Sequence, residues 1–122
     1  MKKSFLQSLK RRSEFQHVFD QGRKFPSKYL ILYFLPNDLG FSRLGLVVSR
    51  KVGNAVTRNR VRRRIREIFR TADAANSLNF DIVVVARSIA GDAEYQSLEK
   101  SILRAFAGSK NENTVHNNNQ AL

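Results

Sequence analysis

Between Val56 and Arg70 the chain sets Val61, Ile65, Ile68 and Phe69 at i, i+4, i+7 and i+8, and fills most positions between them with arginine. That spacing is helical, and it gives the helix one apolar seam. On a wheel with Val61 at zero, the seam spans about 340° to 80°, while Arg62, Asn59, Arg70, Arg66 and Arg63 fall between about 100° and 200°. Arg60, Glu67 and Arg64 lie on the opposite flank. A fold containing this segment must therefore supply a sheet for the seam and leave a stripe of arginines open. Like charges three or four residues apart cost about 0.2–0.5 kcal/mol per pair, so the stripe is destabilising until an anion offsets it. A charge run is usually only the solvated side of a helix. Here the run is nearly one-signed, which points to phosphates, and arginine favours forked contact with phosphate oxygens and stacking on bases.

The neighbouring segments supply the sheet. Residues Arg43 to Ser49 read as a strand, and the run Phe80 to Arg87 is too β-branched and too short to be anything but a buried strand. Strand, helix and strand in that order imply a parallel pair around a crossover. Tyr29 to Leu35, ending at Pro36-Asn37-Asp38, is a further strand, expected antiparallel to Arg43–Ser49 through a hairpin-like connection. Both of its faces are apolar, so the face away from the packed helix is also covered or is used for binding. Ser13 to Gln21 reads as a short helix with Ser13 as N-cap, Gln16 at the capping-box spacing and Gly22 as terminator. Its Phe15, Val18 and Phe19 form one aromatic face. Phe25-Pro26 is an edge strand or a turn. Gly91-Asp92 opens a last helix in which Tyr95, Leu98, Ile102 and Phe106 keep helical spacing until Gly108. The expectation is a single α/β domain over residues 1–108, with 1–12 a basic arm and 109–122 a disordered polar tail.

Charge narrows the function class. The 122 residues carry a net charge of +12, and residues 1–71 hold 18 Lys and Arg against 4 acids, whereas 72–122 hold 4 against 6. The excess is thus confined to one part of the chain, which points to a polyanionic partner. Absence of cysteine removes disulfides, thiolate metal sites and cysteine nucleophiles. No apolar run approaches the roughly 18 residues of a membrane span, and Met1 to Gln7 does not read as a secretory signal. A cytoplasmic protein without membrane contact is expected. Asp38, Asp73, Asp81 and Asp92 are scattered, with no metal-ligand spacing, and His17 and His116 read as surface residues. No catalytic side chain and no metal site is expected in the protein.

The stretch Lys51-Val52-Gly53-Asn54-Ala55-Val56-Thr57-Arg58-Asn59-Arg60-Val61-Arg62-Arg63-Arg64-Ile65-Arg66 closely resembles the signature of the bacterial ribonuclease P protein subunit. Glu14 to Phe19, Gly22-Arg23, Tyr33, Leu46 to Arg50 and Val84 to Arg87 fall in the family's order, so the resemblance covers roughly residues 4 to 106. It implies an α+β two-layer sandwich with a small mixed four-stranded sheet, helices at each side, and a left-handed crossover of a kind shared with a ribosomal protein domain. General rules of connection would choose the right-handed one. Gly53-Asn54-Ala55 becomes the place for that connection, because Gly and Asn best tolerate positive φ. In function the resemblance implies an accessory subunit of an endoribonuclease that matures the 5′ end of tRNA, with a large RNA as catalyst and Mg²⁺ bound by that RNA. The implied partners are ribonuclease P RNA, one per protein, and precursor tRNA. Arg50, Lys51, Arg58, Asn59, Arg60, Arg62, Arg63 and Arg66 would hold the catalytic RNA. Phe15, Phe19 and Tyr33 match positions lining a cleft for the single-stranded 5′ leader, whereas pattern alone leaves Phe15 and Phe19 equally readable as core. The main alternative is a ribosomal-type structural RNA-binding protein. A metal-dependent protein nuclease and a membrane-surface helix are weaker.

Overall fold

The computed structural model describes residues 6–72 and 79–120. In chain order the elements are β1 (Leu6–Ser8), α1 (Arg12–Gln21), β2 (Arg23–Pro26), β3 (Leu30–Pro36), β4 (Ser42–Val47), a 3₁₀ turn (Arg50–Val52), α2 (Ala55–Thr71), β5 (Phe80–Ala86), a second 3₁₀ turn (Ser88–Asp92) and α3 (Tyr95–Gln120). The strands form one mixed sheet in the order β1-β4-β5-β3-β2.

The β-branched run of β5 takes the centre of that sheet, paired parallel to β4 and antiparallel to β3. The parallel pair around α2 is as expected. The hairpin is not: β5 lies between β3 and β4, so these two never pair. A seven-residue strand buried on both faces gains more by satisfying both edges at the centre than a β3–β4 hairpin would gain by leaving β5 outside. The strand count also rises from four to five. Leu6–Ser8, expected to be part of an arm, pairs parallel with Ser42–Leu44 at the edge, and edge pairing uses backbone groups without needing an apolar pattern.

Alternation along β3, β4 and β5 divides the apolar residues between two layers. Leu30, Leu32, Phe34, Leu44, Ile82 and Val84 meet the seam of α2 and the inner face of α3 in the main core. Phe34 is its centre, with edge-on ring contacts to Phe25, Phe80 and Phe106 at 5.2–5.6 Å. On the other face, α1 lays Val18 and its aromatic residues over Val83 in a second, smaller cluster.

Three local features depart from the expected ones. Helix α1 starts at Arg12, and Glu14 rather than Gln16 closes its first turn, Oε1 accepting from the Lys10 and Arg11 amides at 2.9 and 3.0 Å. Gly22 does terminate it, its amide donating to the Val18 carbonyl at 2.7 Å. Helix α3 begins at Tyr95, after the second 3₁₀ turn, and continues through Gly108 to Gln120. Gly108 does not stop the helix because its missing side chain is used for packing: an added Cβ would stand 3.0 Å from the Phe25 ring.

Candidate nucleic-acid interface

Asn54 caps α2, its side chain accepting from the Thr57 amide at 2.9 Å, and Gly53 enters the helix at φ +154, a region that side chains rarely adopt. This turn fixes how the arginines are presented, and it divides them. Arg60, expected to hold the catalytic RNA, donates to the Gly91 carbonyl and Arg64 to the Ala93 carbonyl, both at 3.1 Å, so this flank is fastened to the segment beyond β5. The Arg60 Nε is buried with no partner among the described residues. Arg58 donates to the Gly53 carbonyl at 3.1 Å, holding the turn. Arg62 bonds Asn59 at 2.9 Å and reaches the Val48 carbonyl at 3.5 Å. Arg50, Lys51, Asn59, Arg63 and Arg66 are exposed. Arg70 is exposed too and pairs with Glu67. Of the eight residues named from the sequence on α2 and the turn before it, the open ones are therefore Arg50, Lys51, Asn59, Arg63 and Arg66, with Arg62 half-buried beside them.

The aromatic residues form a second surface. Phe19 and Tyr33 meet edge to face at 5.0 Å. Phe15 lies directly on Gly45, where an added Cβ would stand 2.6 Å from two of its ring carbons. Gly45, Val83 and Tyr33 form one cross-strand row, and α1 spans it from Phe15 to Phe19. The adjacent row, Val47, Val85 and Ile31, is half-buried and continues to exposed Pro26 on edge strand β2. A half-buried apolar strip thus runs beside α1, bordered by Phe15, Phe19 and Tyr33, with Val47, Val85 and Ile31 as its floor. Sequence reasoning does not single out the floor residues. Their signal is the second apolar face of the Tyr29–Leu35 run, but assigning it needs strand register, which only the pairing reveals.

Helix α1 is held over the sheet by an ion network on the row opposite the cleft. Arg43 grips Asp81 with two bonds at 2.6 and 2.8 Å and donates to Glu14 at 3.1 Å, and Asn37 donates to Asp81 at 2.8 Å. Asp81 is only 4% exposed, and its carboxylate raises the pKa of the Arg43 guanidinium. The Arg11 and Lys10 amides, with Arg43, lower the pKa of Glu14 below the usual carboxylate value. These acids are engaged as anchors. Among the described residues no group of three or more His, Cys, Asp or Glu is placed to hold a metal ion, and no helix is long and apolar enough to cross a membrane.

A family model described as Ribonuclease P matches residues 4–109. The chain is 45% identical to the ribonuclease P protein component of Clostridioides difficile over 95 residues, 77% of this chain and 83% of that protein. It is 39% identical to that of Streptococcus pneumoniae, covering 90% of this chain and 88% of the relative. Among solved structures, the RNase P protein of Staphylococcus aureus superposes with a TM-score of 0.74 at 32% identity, over 88% of this chain and 97% of that one. That of Thermotoga maritima gives 0.72 at 32% identity, over 82% and 94%.

Proposed function

The chain belongs to the ribonuclease P protein family, and from that premise we propose how it serves as the protein subunit of the enzyme that processes the 5′ end of tRNA. A ribosomal-type structural role is not favoured by these relatives. In the proposed division of labour the catalytic RNA performs the cleavage and carries the Mg²⁺, and the protein binds RNA at two surfaces. In this reading the Mg²⁺ is the RNA's, and no group of three or more described His, Cys, Asp or Glu residues is placed to hold it. Arg50, Lys51, Asn59, Arg62, Arg63 and Arg66 hold phosphates of the ribonuclease P RNA. Arg58 and Arg60 shape the turn that presents them. The cleft beside α1 takes the single-stranded leader of precursor tRNA, stacking bases on Phe15, Phe19 and Tyr33, and needs no particular sequence because every base has a π-face. One protein per catalytic RNA, in the cytoplasm, completes the proposal.

The observation that carries it is the segregation of exposed arginines on α2 from an aromatic cluster on the other side of the same sheet. It is tested in reconstituted holoenzyme. Arg62→Ala with Arg66→Ala weakens assembly and lowers the slope of log K against log salt by about 0.7–0.9 for each phosphate no longer bound. Phe19→Ala with Tyr33→Ala lowers affinity for precursor tRNA and leaves mature tRNA unaffected. An unchanged slope refutes the stripe, and equal effects on both tRNAs refute the cleft.

A further inference from the structure

The cleft floor does not end at the sheet. Its row runs from Val47 through Val85 and Ile31 to Pro26 at the β2 edge, where Lys24 stands in register with Tyr33. Immediately beyond, β2 and α3 enclose a groove of about 210 Å³ lined by Arg23, Lys24, Pro26, Ser101 and Arg104, among others. No carboxylate lines it. Lys24 and Arg104 are exposed and their side chains make no hydrogen bond or ion pair among the described residues, and Lys100 lies one helical turn before Arg104 on α3, also exposed. The side chains of Lys24 and Arg104, unpaired among the described residues and standing at the mouth of an apolar track, are placed to receive a charged backbone.

We propose that the β2–α3 groove is a second phosphate-binding site for the part of the leader farthest from the cleavage point, reached by single-stranded RNA that leaves the cleft over Pro26. This rests on the leader-cleft reading and extends it. The direction follows from the layout. The β4 end of the floor joins the Arg50–Lys51 turn and the α2 stripe, so RNA enters from the catalytic-RNA side and exits at β2. Lys24 holds the strand at the sheet edge, and Arg104 holds the next phosphates along α3. The helix-borne stripe and this groove face different RNAs, although both are basic.

The consequence is a dependence on leader length. Holoenzyme affinity is measured for precursor tRNAs with leaders of about four and about twelve nucleotides, both within the usual range of about 4–16 nucleotides for single-strand binding surfaces. Lys24→Ala with Arg104→Ala lowers affinity for the long leader about three- to tenfold and removes most of the advantage of long over short. Its salt slope on the long leader falls by about 1.4, from about 0.7 per phosphate on a single strand. Equal effects on both leaders, or none on either, overturn the groove. In the same assay Phe19→Ala with Tyr33→Ala lowers affinity for both leaders. If that variant alone is silent, the cleft reading fails, and if the Lys24 and Arg104 variant alone is silent, the groove fails while the cleft stands. Lys24→Arg with Arg104→Lys, which keeps the charge, retains the long-leader advantage, and its disappearance would show that packing rather than phosphate binding is at work.

Discussion

Gly45→Ala tests the contact between α1 and the sheet on which the cleft depends. Gly45 is buried in β4, and an alanine Cβ would stand 2.6 Å from two ring carbons of Phe15 and 3.2 Å from the Leu9 Cβ. Ordinary carbon contacts lie near about 3.5 Å, so the ring must retreat by about 1 Å. Overpacking of this kind costs about 1–3 kcal/mol. Phe15 is half-buried, which gives the ring room to move outward, but the Leu9 Cβ does not yield as easily, so the cost sits near the middle of that range, about 2 kcal/mol. Alanine also stiffens the unfolded chain, a gain of about 0.4–1 kcal/mol. The overpacking term exceeds it, leaving a net destabilisation of about 1 kcal/mol, measured as a lower denaturation midpoint at unchanged m-value. The displaced ring no longer completes the cleft wall. Affinity for precursor over mature tRNA then falls by part of the roughly 1–3 kcal/mol that one stacked base supplies. Adding Phe15→Leu relieves the clash and restores stability without restoring the tRNA preference. A variant as stable as the parent, with the same preference, would refute the placement of Phe15 on the sheet.

The same logic separates arginines that sequence places in one group. Arg60→Ala lowers unfolding stability by about 1 kcal/mol, because the Gly91 carbonyl loses a charged donor and the side-chain stem loses its packing. Arg63→Ala, exposed, stays within about 0.5 kcal/mol in stability and instead lowers the salt slope of RNA binding; the reverse assignment in paired unfolding and binding measurements would overturn this division. Glu14 has a lowered folded-state pKa, so its contribution to stability is present above the unfolded value near 4.5 and is lost as pH falls through the lowered one. Glu14→Gln removes that contribution at neutral pH and flattens the decline of thermal stability on the acid side. An acid limb as steep as the parent's would show that the amide and Arg43 bonds do not hold α1.

Element type was legible where a period or a β-branched run leaves no choice. Val61, Ile65, Ile68 and Phe69 all lie in the main core, and Phe80–Ala86 is the central strand. Beyond the parallel β4–β5 pair, what was not legible is pairing. The loop after Pro36 suits a hairpin to β4, and only competition for both edges of β5 prevents one. Leu6–Ser8 carries no apolar alternation, since its neighbour asks only for backbone groups. Arg43 and Asp81 are 38 residues apart, and nothing in either segment announces that they face each other across adjacent strands. The candidate site divides the same way. Which residues are arginine is plain in the chain, but which are free depends on where the Gly91 and Ala93 carbonyls come to lie.

The two proposed RNA surfaces are joined by a very short length of chain, and this bears on what the protein can contribute. Val47 closes the cleft floor on β4, Val48 accepts from Arg62, and Arg50 and Lys51 follow at once in the turn that ends at Gly53. That turn is clamped, for a Cβ on Gly91 would meet the Val52 carbonyl at 2.6 Å and the Thr57 methyl at 2.9 Å. A leader seated in the cleft is therefore held at a fixed offset from whatever RNA occupies the stripe, with little flexible chain between them. Fixing two ligands on one rigid body raises the effective concentration of one at the other without touching the reacting bond. The gain falls on binding of substrates that carry a leader and vanishes for the product that has shed it. On the proposed two-surface reading, a protein with no proposed catalytic side chain would in this way favour precursor over mature tRNA.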